Sequence, residues 1–266
     1  MTKGTAIITG ASSGIGAVYA DRLARRGYGI VPVARDRGRL TALAERLSTE
    51  HGVTVTPLPA DLTRDGDRER VLTMLRDDQG LSLLVNCAGI GPKAPLLGSE
   101  RAGLDSMLHL NVDILHSLTV TAAQAFASRQ RGAIINIASV VALMPERFNA
   151  TYCASKAFVL AFTQAISTEL KPHGVQVQAV LPGFTRTELF ERAGVDIAAI
   201  PPEMIMEAGD MVDASLAGFD RGEIVTIPSL ADIQLWSDLE NARLELAPYL
   251  SLKQPAARYA TGTGSR

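Results

Sequence analysis

The 266-residue sequence has only two cysteines, Cys87 and Cys153, too few for a disulfide framework and without the paired spacing of a zinc site. A reducing, intracellular setting is the expectation. Charge of one sign is also lacking, since 26 Lys and Arg stand against 28 Asp and Glu for a net charge of −2. With no positive excess to neutralise a phosphate backbone or an anionic bilayer, neither nucleic acid nor a membrane is expected as a partner. The four histidines, His51, His109, His116 and His173, form no tight ligand cluster, and no metal is expected. No apolar run approaches the length that crosses a bilayer. Met1-Thr2-Lys3-Gly4 runs straight into Thr5-Ala6-Ile7-Ile8, leaving no room for the regions of a secretory leader, so a cytoplasmic protein is expected.

What is present is a chain that is 47% hydrophobic and 20% charged, enough to bury a sizeable core, with a modest surplus of glycine at 23 residues. Short β-branched runs alternate with stretches of helical period, the pattern of a parallel sheet with crossover helices. Strands are predicted at Thr5 to Thr9, Gly29 to Ala34, Val53 to Leu58, Leu81 to Asn86, Ala133 to Ser139 and Val175 to Leu181, with a last one at Glu223 to Pro228. Leu104, Met107, Leu108, Leu115 and Leu118 suggest one extended helix. From Phe184 to about Gly222 the chain reads as irregular, and 184–222 is taken as a lid over a site. The expected organisation is one domain over 1–253 with a flexible tail over 254–266. The fold class is α/β, a doubly wound parallel sheet of about seven strands with helices on both faces.

The glycines cluster. Thr9-Gly10-Ala11-Ser12-Ser13-Gly14-Ile15-Gly16 follows the first strand and opens the first helix, where amide groups and the helix dipole can hold a pyrophosphate. The spacing is not Gly-x-Gly-x-x-Gly, and a plain strand-to-helix turn also favours glycine. At the end of the second strand, where an NAD-selective site places a carboxylate, the chain has Ala34 followed by Arg35, with Arg37 and Arg39 nearby. This favours NADP over NAD; a solvated helix start is the alternative, and Asp36 weighs on that side. Asp61-Leu62 lies just past the end of the third strand and could meet the adenine, although Asp61 could equally cap the next helix.

Tyr152 and Lys156 are four apart at a helix start, so they share a face. Lowering a tyrosine pKa from near 10 toward 7 is worth about 4 kcal/mol, which an adjacent ammonium can help supply. Tyr152 is therefore a candidate general acid. Ser139 ends a buried strand at the edge where α/β sheets hold ligands, and its hydroxyl could bond a substrate oxygen. The plain alternatives are a strand-ending turn residue and a half-buried aromatic.

Taken together and in order, the glycine motif, Asn86-Cys87-Ala88-Gly89, Asn111, Ser139, Tyr152-Cys153-Ala154-Ser155-Lys156 and Pro182-Gly183 resemble the short-chain dehydrogenase/reductase family, over roughly residues 4 to 190. The resemblance implies that Tyr152 exchanges a proton with the substrate oxygen and Ser139 orients that oxygen. Lys156 would bind the nicotinamide ribose and lower the tyrosine pKa, and Asn111 would hold a water in a proton relay. Gly10, Ser12, Ser13, Gly14, Ile15, Gly16, Arg35, Asp61, Leu62, Asn86, Ala88 and Gly89 would line the cofactor. Pro182-Gly183-Phe184-Thr185-Arg186-Thr187 is similar to the family's nicotinamide loop, with Pro182, Gly183, Thr185 and Thr187 in contact. Two departures are visible: Gln124 stands where the family often has proline, and Ser13 where many NADP-preferring members carry a basic residue. A homodimer or homotetramer is also implied.

The expected activity is hydride transfer between NADP(H) and a carbonyl or alcohol substrate. Val140, Val141, Ala142, Leu143 and Met144, and in the lid Phe184, Leu189, Phe190, Met204 and Met206, suit an apolar ketone or oxoacyl compound, though many could simply pack the lid. Arg147, Arg186 and Arg192 could recognise an acidic group. The rival is a non-catalytic dinucleotide-binding sensor, whose mark would be a broken set of Asn111, Ser139, Tyr152 and Lys156; all four are present.

Overall fold

The computed structural model describes residues 3–188, 194 and 196–259. Contacts group the chain into two units, one ending at Pro228 and one beginning at Ser229. In the first, a parallel sheet runs in the order β3-β2-β1-β4-β5-β6-β9. Its strands are β1 (Thr5–Thr9), β2 (Gly29–Ala34), β3 (Leu58–Pro59), β4 (Leu81–Asn86), β5 (Gly132–Ile137), β6 (Val175–Val180) and β9 (Val225–Thr226), and a separate ribbon pairs β7 (Thr185–Arg186) with β8 (Met206–Glu207). Chain order reverses between β1 and β4, and doubly wound sheets bind ligands at such a reversal, beyond the carboxyl ends of the strands. Inward residues such as Ile8, Val85 and Ile135 meet one helical layer, while Ile7, Leu84 and Ile134 meet the other. Both faces being buried, the strands read as unbroken apolar runs.

Helices α1 (Gly14–Arg25), α2 (Arg37–His51), α3 (Asp65–Asp77), α4 (Arg101–Leu108), α5 (Leu115–Ser128), α6 (Ala150–Leu170) and α7 (Ala208–Asp220) complete this unit. Three sequence expectations are corrected. The third strand shrinks to Leu58–Pro59 with one isolated bridge between Ile30 and Val55, because Pro57 and Pro59 carry no amide hydrogen for the ladder. The long helix before β5 is interrupted by a π-helical turn, His109–Ile114. The stretch read as irregular from 184 to 222 contains the regular helix α7, which buries Met211, Val212, Ser215 and Leu216, one face at helical spacing. Two ion pairs, Arg22–Asp213 at 2.7 Å and Arg26–Asp220 at 2.9 Å, and a buried bond between Tyr19 and Ser215 join α7 to α1. In the second unit, α8 (Ile233–Glu245) starts at Asp232, whose carboxylate accepts from the Gln234 amide at 2.9 Å. No described helix is long and apolar enough to cross a membrane.

Candidate active site

The glycine loop is shaped by close approach. Gly10 has φ +70°, and a Cβ there would lie 2.9 Å from Ala88 Cα; Gly14 has φ +53° and faces the Thr187 side chain at 3.2 Å. A Cβ on Gly16 would run into the carbonyl of Gly10. Only glycine lets the loop fold this tightly against β4 and the 182–187 segment. Ser13 is the extended N-cap of α1, makes no side-chain capping bond, and no acidic residue stands in the first turn. The helix start therefore presents backbone donors and a positive dipole end with no carboxylate of its own there, an arrangement that suits a pyrophosphate. Ser12 and Ile15 are half-buried in the same turn.

Across the switch point, Thr9 Oγ1 accepts the amides of Cys87 at 3.0 Å and Ala88 at 3.1 Å, tying the end of β1 to the exit of β4. Asn86 donates to Thr119 Oγ1 and to Asn136 Oδ1, both at 2.9 Å, and Asn136 donates to Thr163 Oγ1 at 3.0 Å. This buried polar chain links two strands to α5 and α6, and it leaves Asn86 Oδ1 with no partner. Thr119, Asn136 and Thr163 were not among the sequence candidates, and Thr9 entered only as the first residue of the glycine motif. Hydroxyl and amide side chains inside apolar segments were the only signal, and such residues are ordinarily paired when buried.

Ser139 caps the short turn Val140–Leu143 at the end of β5, and its hydroxyl donates to the Pro182 carbonyl at 3.3 Å. Asn149 Oδ1 accepts from the Tyr152 amide at 3.1 Å and so starts α6 where Tyr152 and Lys156 share a face. Burial pushes the Tyr152 hydroxyl up to about 12, against the lowering effect of a hydrogen bond with Ser139. Burial also pulls the Lys156 ammonium down to about 8. Its Nζ donates to the Ile137 carbonyl at 2.9 Å and stands 5.8 Å from the centre of the Tyr152 ring. The expected depression of Tyr152 is thus absent in the chain alone: dehydration of a phenolate outweighs the available bonds.

Asn111 lies inside the π-helical turn, almost fully buried. It accepts from the Ile90 amide and donates to the Ile90 carbonyl, both at 2.9 Å, and donates to Ser155 Oγ at 3.4 Å. A Cβ on Gly89 would lie 3.1 Å from Asn111 Oδ1 and 3.8 Å from Lys156 Nζ, so this glycine leaves room for both groups beside the loop. The extra residue of a π turn is a recurrent feature of functional sites, and here it lets the amide side chain pair with a neighbouring loop in both directions.

The four candidate catalytic residues and Gly89 and Pro182 thus converge beyond the ends of β4, β5 and β6. Gly10, Gly14, Ala88 and Thr187 form a second group around the start of α1, and Thr185 is buried between the two, donating to the Gly183 carbonyl at 3.2 Å. Arg35 is exposed beyond β2 and its charge acts on Asp61. Asp61 accepts from the Thr63 hydroxyl at 2.7 Å and the Thr63 amide at 3.1 Å, so it closes its own turn rather than capping α3, while Leu62 is buried. Leu189, Phe190 and Arg192 fall outside the described residues, as does most of the expected tail. Arg186 is paired with Glu207 at 2.7 Å. Among the described residues one group of metal-capable side chains gathers, Asp21, Glu50 and His51, and Arg22 and Arg46 already bond Asp21 at 2.7 and 3.1 Å.

A seven-stranded parallel sheet with a glycine turn after β1 and a Ser, Tyr and Lys group beyond β5 defines a dinucleotide-dependent oxidoreductase fold. The chain belongs to the short-chain dehydrogenase/reductase family, since the short chain dehydrogenase profile matches residues 4–197. It is similar to a short-chain dehydrogenase from Sphingobium yanoikuyae solved in complex with NADPH, with TM-score 0.93, 46% identity and coverage of 96% of this chain and 100% of that one. It is also similar to the bulky-bulky ketone specific alcohol dehydrogenase from Comamonas testosteroni, with TM-score 0.89, 42% identity and coverage of 97% and 98%. Among curated proteins, a very-long-chain 3-oxoacyl-CoA reductase of Ajellomyces capsulatus is 31% identical over 237 residues, 87% of this chain and 68% of the relative. Human 17-beta-hydroxysteroid dehydrogenase type 3 is 35% identical over 181 residues, 66% of this chain and 57% of the relative. The chain thus spans 57% to 68% of the length of these two curated relatives. It is an oxidoreductase that uses a dinucleotide cofactor and acts on a small molecule.

Proposed function

We propose that this chain is an NADP(H)-dependent carbonyl reductase for apolar ketones or oxoacyl compounds. The observation that carries the reading is the convergence of Ser139, Tyr152 and a buried Lys156 beside the glycine-lined start of α1. The nicotinamide, when bound, supplies the hydride. Tyr152 donates a proton to the carbonyl oxygen and Ser139 holds that oxygen by a hydrogen bond. The Lys156 ammonium, fixed by the Ile137 carbonyl, offsets negative charge on the phenol and would bond the nicotinamide ribose. Asn111 links this group to the loop at Ile90 and would hold the water of a proton relay. The intact set of four favours turnover over a sensor role.

The substrate class is supported by Phe148 and Phe184, whose rings meet edge-on at 6.4 Å, and by the exposed Met144 and Met204. Apolar side chains around a polar centre suit a bulky carbonyl compound. Following NADPH absorbance against diaryl and long alkyl ketones and 3-oxoacyl thioesters tests this, with small hydrophilic aldehydes as controls. Turnover restricted to the controls would sink the proposed substrate class.

Arg35 is the proposed partner of the 2′-phosphate. Arg35→Ala is expected to weaken NADPH binding by about 10- to 100-fold, the worth of a charged hydrogen bond, with little change for NADH. Titration calorimetry with both cofactors measures this. Equal losses would refute the assignment.

A further inference from the structure

We infer that the ion pair between Arg39 and Glu188 is a clasp across the dinucleotide groove that slows cofactor release, an inference that rests on the dinucleotide reading above. Arg39 stands in the first turn of α2, just beyond β2. Its Nη1 donates to both carboxylate oxygens of Glu188, at 2.7 and 2.9 Å, across 149 positions of sequence. Glu188 follows Thr187, which lies against Gly14 at the mouth of α1. The segment leaving β6 therefore crosses the carboxyl edge of the sheet from β6 past β5, β4 and β1 to reach α2 beside β2. Four strand spacings of about 4.8 Å make roughly 19 Å, and residues 182–188 at about 3.3 Å each reach that far.

This edge is where a doubly wound sheet holds its ligand, so the segment is a strap over the groove and Arg39 is its far anchor. The near anchor is the Pro182 carbonyl, which accepts from the Val140 amide at 3.0 Å. In between, Thr185 and Arg186 pair with Met206 and Glu207, which stiffens the strap. Arg39 is also within 3.5 Å of Asp36. Two carboxylates on one guanidinium leave it little positive potential, which separates its part from that of Arg35 as a phosphate partner.

Stopped-flow displacement of bound NADPH and NADH, read by nicotinamide fluorescence, tests the clasp in wild type, Glu188→Gln, Arg39→Ala and the double variant. Both pair members are well exposed, so thermal midpoints should stay close to wild type. Either single change is expected to raise the dissociation rate of both cofactors by about three- to fivefold, the worth of a good exposed ion pair. The double variant should release no faster than the single ones, since one interaction is lost in each. Unchanged release rates would overturn the clasp. So would an Arg39→Ala effect confined to NADPH, or tighter NADPH binding by Glu188→Gln, either of which would make Arg39 a phosphate partner instead. Wild type that binds neither cofactor would overturn the dinucleotide reading itself, and the clasp with it.

Discussion

Tyr152→Phe is expected to lower kcat for carbonyl reduction by about 10²- to 10⁴-fold, the usual contribution of a positioned general acid. The change removes one oxygen from a half-buried ring, so Kd for the dinucleotide should stay within about tenfold, the range of one neutral hydrogen bond. The pH dependence should also be asymmetric. Burial pushes Tyr152 up to about 12 in the chain alone, so the phenol keeps its proton through the neutral range. Reduction, which consumes that proton, should be nearly flat between pH 6 and 8, whereas alcohol oxidation, which needs the phenolate, should climb with pH. Initial rates in both directions across pH 6 to 10 measure this. Full activity in the Phe variant would exclude Tyr152 as the acid.

The second large effect is opposite in sign for activity and for stability. Lys156→Met should lower kcat by about 10²-fold or more, because the charge that offsets the developing phenolate is gone. The cofactor-free protein should nevertheless become more stable at pH 7. Burial lowers Lys156 from 10.5 to about 8, so below pH 8 the native state carries a dehydrated ammonium that the unfolded chain solvates freely. That cost is at most about 3 kcal/mol, and losing the hydrogen bond to the Ile137 carbonyl returns about 1, for a net gain of about 2. The sign follows from proton counting: between pH 8 and 10.5 the unfolded state binds more protons, so wild-type stability rises with pH. The advantage of the Met variant should therefore shrink above pH 8. Urea midpoints at pH 7 and 9.5 give the comparison, and a Met variant less stable than wild type at pH 7 would show that Lys156 stabilises the fold.

Much of the site was legible because its motifs are local. Tyr152 and Lys156 share a face through helical period alone, and the glycines of 10–16 announce a tight turn wherever a strand feeds a helix. Asn111 was legible only through the resemblance to the family, and the π turn around it was not legible at all. In that turn the amide pairs with the backbone of Ile90, and no local pattern encodes a partner 21 positions away. Helix α7 was hidden by Gly209 and Gly218 and the prolines before it, and forms through packing on α1. Thr9 was legible as the end of a strand, not as the residue that pins the exit of β4.

The alternation of strands and helices as far as β6, the glycine turn and the Tyr-Lys pair follow from the sequence by itself, since each rests on neighbours within a few residues. The tertiary structure alone decided the ionisation of the site. Dehydration raises Tyr152 and lowers Lys156, and it depends on every segment that closes over them. The same holds for the bond between Arg39 and Glu188. Two charged residues so far apart in the chain meet only because the parallel order of the sheet brings the exits of β2 and β6 to one edge.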